Sequence, residues 1–76
     1  MNRQIRIGKA PNSVKSVHNA NSTIPKSKIH VHFIDGTSLN IDGTIHDAIG
    51  GIPSITKSTR KWLENYGWSI PKIFWR

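Results

Sequence analysis

The sequence predicts a small α+β domain, an antiparallel β-meander with one C-terminal helix packed on one of its faces. Three observations carry this expectation. Residues 28–34 alternate, with Ile29, Val31 and Phe33 on one side and His30 and His32 on the other. The tetrapeptide Ile-Asp-Gly-Thr occurs twice, at 34–37 and 41–44, and each Asp-Gly marks a tight hairpin turn. Ile55, Thr59, Leu63 and Tyr66 fall on a helical stripe that closes at Gly67.

Taken in order, residues 1–27 form a basic lead-in with short strands. Residues 3–7 (Arg-Gln-Ile-Arg-Ile) alternate and predict a strand that Gly8 and Pro11 interrupt. Val14 and Val17 predict a second short extended piece, and the polar stretch 19–27 with Pro25 reads as a loop. Residues 28–49 are the meander, with Leu39 and Ile41 facing inward along its next strand and His46 in the strand after the second turn. Gly50, Gly51 and Pro53 end the β region. Ser54 or Thr56 is the cap of a helix over 54–67, in which Trp62 flanks the apolar stripe and Lys57, Arg60, Lys61 and Glu64 face solvent. Gly67 suits the residue after the helix, with Trp68 as its apolar contact. Residues 68–76 are a basic, aromatic tail that either packs as a final strand or frays. Trp62, Trp68 and Trp75 are expected in the core, because few other large apolar groups are available to fill it.

Length and composition narrow the functional classes. Seventy-six residues make one domain, and a chain of this size buries only about 60% of its unfolded surface. Without cysteine, neither a disulfide nor a zinc finger can staple it. No apolar run approaches the roughly 18 residues of a membrane span, and the N-terminus lacks the apolar stretch of a signal peptide. The chain therefore carries no membrane anchor of its own, and export would require a carrier.

The net charge of +7 is unevenly spread. Arg3, Arg6, Lys9, Lys15, Lys26 and Lys28 face no acid within 1–28, whereas Asp35, Asp42 and Asp47 face no lysine or arginine within 29–56. Lys57, Arg60, Lys61, Lys72 and Arg76 outweigh Glu64 in the last twenty residues. Two basic flanks thus bracket a centre that holds His30, His32 and His46, and a polyanion gripped by the flanks would cross that centre. A nucleic acid is the expected ligand, with Lys15, Lys28, Lys57, Arg60 and Lys61 as phosphate contacts; an acidic protein partner is the alternative.

The histidines give that ligand a chemistry. His30 and His32 project from one face of a strand, about 7 Å apart, and imidazoles titrate near neutrality, so a pair can act as base and acid. RNA supplies its own nucleophile, the ribose 2′-OH. One imidazole would take its proton, a second would protonate the leaving 5′-oxygen, and a cation would stabilise the phosphorane. Lys9, Lys28, Lys57 or Arg60 could be that cation. This mechanism needs no cofactor. The same residues also suit a transition-metal site, His30 and His32 joined by His46 and Asp42 or Asp47.

The stretches 29–40, 42–46 and 59–68, with the lead-in 8–17, resemble the C-terminal toxin domains of bacterial polymorphic toxins and contact-dependent inhibition systems. The resemblance covers roughly residues 6–71. It implies a nuclease module delivered by a secreted carrier, cutting RNA (tRNA or another) in the cytoplasm of a target cell. It implies the helix-plus-sheet fold of barnase and the colicin tRNases, with His30, His32, His46 and Lys9 matching the motif's site residues. It also implies a dedicated immunity protein, which the basic surface requires to be acidic, and a chain that is otherwise monomeric. Two other readings stand beside it: a non-catalytic RNA- or DNA-binding module, and an mRNA interferase of an intracellular toxin–antitoxin pair.

Overall fold

A computed structural model describes residues 1–20, 23 and 27–76. Its elements are α1 (Asn2–Arg6), β1 (Val14–His18), β2 (His30–Phe33), β3 (Ser38–Asn40) and α2 (Lys57–Asn65), with 3-10 turns at Ala48–Gly50 and Lys72–Phe74. The three strands form one antiparallel sheet in the order β1-β2-β3. The α+β architecture read from the sequence is the observed one. Among the described residues no helix is long and apolar enough to cross a membrane. The loop expected over 19–27 falls largely outside the described residues.

The sheet has one apolar face because β2 keeps strict alternation. Val31 and Phe33 are buried while His30 and His32 are half-buried on the opposite side. Val14 and Val17 of β1 and Leu39 of β3 join the same core, together with Ile55, Leu63, Trp68, Ile70 and Phe74. Val31, Leu39 and Leu63 are fully enclosed, each worth about 1.5–3 kcal/mol of apolar burial. Val14 and Val17 can both point inward because β1 carries a bulge. Val14 pairs with Phe33 and Ser16 with His32, leaving Lys15 between them without a partner on β2.

The two Ile-Asp-Gly-Thr copies fold into the same three-residue hairpin. In the first, Gly36 N–H donates to Phe33 C=O and Phe33 N–H to Thr37 C=O; in the second, Gly43 pairs with Asn40 and Asn40 with Thr44 in the same way. In each, the aspartate accepts from the threonine two residues on, through its hydroxyl at 2.6 Å and its N–H at 2.9 or 3.1 Å. Gly36 and Gly43 sit at φ 92° and 90°, the left-handed position that this turn demands. The second hairpin returns only one residue to the sheet, as an isolated bridge between Leu39 and Ile45. His46 therefore follows a bridge and does not lie within a strand.

Helix α2 spans Lys57–Asn65, with Thr56 and not Ser54 at the N-cap position, and is shorter than the expected 54–67. Its end matches the sequence signal. Trp68 N–H donates to Leu63 C=O and Gly67 N–H to Glu64 C=O, the paired bonds of a Schellman cap, with buried Trp68 against buried Leu63. Thr59 occupies an inward position because its hydroxyl bonds Ser13 Oγ at 2.7 Å and Thr56 Oγ1 at 3.1 Å. Tyr66, expected inside, lies at the exposed margin and donates its hydroxyl to Gln4. The tail packs: Ile55 N–H donates to Phe74 C=O and Arg76 N–H to Ile55 C=O, a parallel bridge beside residue 55. Of the three tryptophans, Trp68 is core and Trp62 packs partly against it. Trp75 remains 40% exposed, covered by the Arg60 guanidinium 3.8 Å from its ring centre.

The strand expected over 3–7 is a correction. This segment is helix α1, and Met1 and Ile5, one helical turn apart, lean on the core. Asn2 uses both ends of its amide on the free edge of β1, accepting from Val17 N–H at 2.9 Å and donating to Val17 C=O at 2.7 Å. One side chain thus closes part of a sheet edge that would otherwise invite another strand.

Candidate functional site

The alternation that buries Val31 and Phe33 sends His30 and His32 to the other face, where His18 and His46 join them. On β2, His30 and His32 face out by register. Across the β1–β2 ladder His18 sits opposite His30 and Ser16 opposite His32. From the other side, the bridge at Ile45 delivers His46 beside them.

The rings make a definite figure. His46, His30 and His18 form a stacked row across the sheet, with centroid spacings of 3.6 and 5.4 Å and interplanar angles of 11° and 6°. His32 stands edge-on to all three, at 5.6, 5.0 and 4.8 Å and 83°, 72° and 78° respectively. Two rings are fixed by hydrogen bonds. His30 Nδ1 lies 2.9 Å from Lys28 C=O, so this nitrogen carries a proton and Nε2 is the ring's acceptor when the imidazole is neutral. His18 Nε2 lies 3.1 Å from Ser16 Oγ.

Burial depresses the affinity of His32 for a proton below the ordinary imidazole range, and the positive charge that His18, His30, His46 and Lys15 can carry lowers it further. His46 is lowered by burial and by His30, with a smaller contribution from His18, against a partial opposing pull from Asp47. Beside His32 a shallow depression of about 340 Å³ opens, lined by Lys15, Ser16, His18, His32, Phe33 and Gly36. Ser38, opposite His32 on β3, is buried, and its Oγ has no hydrogen-bond partner among the described residues.

The structure brings together three of the expected site residues, His30, His32 and His46, and adds His18, which the sequence reading missed. Its signal was present: Ser16 and His18 flank Val17 with the two-residue period, and pairing β1 with β2 would have carried them to the histidine face. Of the cations, Lys15 is the one whose charge reaches His32. Lys9 follows α1 as an exposed residue whose N–H bonds Gln4 C=O, and among the described residues no contact ties it to the imidazoles. Lys28 is held in an ion pair with Asp42 at 2.5 Å. Lys57, Arg60 and Lys61 ride on α2, which packs through Thr59 and Leu63 against the apolar side of the sheet. The sheet therefore stands between them and the imidazoles, and Arg60 is further engaged by Glu64 at 3.5 Å and by Trp75.

Neither nearby carboxylate joins the rings. Asp42 is taken by Lys28 and Thr44, and Asp47 accepts from Ile49 N–H to cap the turn at Ala48–Gly50. The site is an all-imidazole surface with one adjacent lysine. No family model, no curated protein and no solved structure matches the chain.

Proposed function

We propose that the chain is a metal-independent endoribonuclease of the polymorphic-toxin type, with the histidine face as its active surface. The observation that carries this reading is the convergence of four imidazoles on one open sheet face beside Lys15. A neutral imidazole, for which His32 and His46 are the suited groups, removes the proton of the 2′-OH. The 2′-oxygen then bonds to phosphorus, and the phosphorane charge is met by Lys15. A neighbouring imidazolium donates its proton to the 5′-oxygen as the P–O5′ bond breaks. The products are a 2′,3′-cyclic phosphate and a 5′-hydroxyl, and no outside reactant is consumed.

Such an enzyme endangers the cell that makes it, and this supports an acidic immunity protein that places carboxylates over the histidine face. Complementary charge would speed capture to about 10⁸–10⁹ M⁻¹s⁻¹ at low salt. Delivery by a secreted carrier belongs to the same reading.

The test is incubation of the purified chain with total RNA in EDTA, followed by analysis of the fragment ends. Cyclic phosphate termini are expected. Cleavage that EDTA abolishes and magnesium restores would overturn the mechanism. Tight RNA binding without cleavage, unchanged when all four histidines become alanine, would favour a binding module.

A further inference from the structure

We infer that His30, His32 and His46 form a three-imidazole site for a zinc-class transition-metal ion, and that its occupancy switches the histidine face off. The site itself rests on geometry alone; the switching rests on the ribonuclease reading.

One ring nitrogen from each of these residues lies within 4.8 Å of the others. A tetrahedral zinc with bonds of about 2.0–2.1 Å holds its nitrogen ligands about 3.4 Å apart, so the three must close by roughly 1.4 Å at most. Side-chain rotation supplies that distance, because His46 is exposed and His30 and His32 are half-buried. The backbone already holds one ligand in readiness. Lys28 C=O takes the Nδ1 proton of His30 and leaves Nε2 free, the outer-shell arrangement that orients metal-binding imidazoles. A bound ion lies near the plane of each ring that holds it. His46 must therefore swing off the face of His30, where it now stacks at 3.6 Å.

The donor set also decides the metal. Three neutral nitrogens with Lys15 close by offer no oxygen to a hard cation, so magnesium and calcium are excluded, while zinc, copper and nickel are suited. The carboxylates nearest in sequence are engaged elsewhere, Asp42 with Lys28 and Asp47 with Ile49 N–H. A three-histidine site leaves a fourth position open to water. Once the lone pairs are committed to metal, those imidazoles can no longer exchange protons with RNA.

The experiment uses the full chain, stripped with EDTA and dialysed. Zinc chloride is titrated in and followed by calorimetry and by histidine side-chain NMR. One equivalent should bind, raise the melting temperature, and move the ring signals of His30, His32 and His46 more than those of His18. Magnesium should do none of this. His46→Ala and His30→Gln, each checked for folding by circular dichroism, should weaken zinc binding by more than the roughly 10–100-fold that loss of an outer-shell partner costs. His18→Ala should retain it. No binding of zinc, copper or nickel, or binding that survives both ligand substitutions, overturns the site. Zinc should also suppress RNA cleavage, with recovery on chelation. Binding without suppression overturns the switch and leaves the site. Cleavage that requires zinc establishes the site and overturns the metal-independent mechanism.

Discussion

His46 lies face to face on His30, with 3.6 Å between ring centroids and 11° between planes, and no strand carries it there. Its position depends on the second Asp-Gly turn and on a single bridge from Ile45 to Leu39. The proposed active surface is thus assembled from one well-paired strand, a neighbour on each side, and a short return held by local hydrogen bonds.

His32 stands edge-on to the other three rings, so its loss should be felt most. His32→Ala and His46→Ala should each lower RNA cleavage by about 10²-fold or more, the usual scale of an acid–base contribution. His18→Ala should lower it as well, since that ring closes the row. Single-turnover cleavage measured alongside circular dichroism separates lost chemistry from lost folding. A variant that unfolds marks its histidine as structural.

The two matched turns differ in what surrounds them. A Cβ on Gly36 would meet nothing within 4 Å, whereas one on Gly43 would lie 2.8 Å from Ser69 C=O and 2.9 Å from Pro71 Cδ. Gly36→Ala should cost about 1–2 kcal/mol, the strain of a left-handed alanine. Gly43→Ala should cost more, because backbone must also move, and it should displace His46. Chemical denaturation of both variants provides the comparison, and equal losses would contradict it.

Acid should expose the turn aspartates. Asp42 is pulled down to about 2, chiefly by its hydrogen bond from Lys28 and then by Thr44. Asp35 is lowered by the Thr37 hydroxyl and N–H. The folded state prefers both as carboxylates, so their stabilisation is complete above the ordinary value of 3.8 and is lost as pH falls through the depressed folded values. The melting temperature should decline over that window, and Asp42→Asn should flatten the decline. An unaltered slope would mean that the Lys28–Asp42 pair gives way as readily as it forms.

What the sequence made legible was local. The strand at β2 follows from five consecutive alternating residues, and both Asp-Gly turns follow from chemistry within four residues. The helix stop at Gly67 and Trp68 is likewise complete in itself. Two misreadings have different physical causes. Residues 3–7 alternate, but so short a run satisfies a strand and a helix equally, and the decisive contacts are those of Met1 and Ile5 with a core formed later in the chain. His18 was missed because its neighbours are long-range, reached only when β1 pairs with β2. Charge alone groups Lys57, Arg60 and Lys61 with the phosphate contacts, and a charge total does not say that α2, placed against the apolar side of the sheet, holds them away from the imidazoles.

That placement separates binding from cleavage. Lys15→Gln should slow cleavage of a short oligonucleotide, because its charge reaches His32. Lys57→Gln and Lys61→Gln should leave short-substrate cleavage unchanged. If long RNA wraps to the helix side, they should flatten the salt dependence of its binding by roughly 0.7–0.9 of a log–log unit per lost contact. Slower short-substrate cleavage in the helix variants would place their charges nearer the imidazoles than the fold does.

Lys15 is a surplus residue. Removed from the chain, it would leave Val14, Ser16, Val17 and His18 as an unbroken alternation against Phe33, His32, Val31 and His30, with every side chain keeping its side of the sheet. The fold has no need of the interruption, which makes the strand less regular and leaves a residue without a partner. What the interruption supplies is a positive charge at the lip of the histidine face, in a place that no position of a regular strand would provide. Excision of this one residue is therefore a cleaner instrument than substitution. It should yield a protein at least as stable as the original, with four imidazoles in place and the adjacent cation gone.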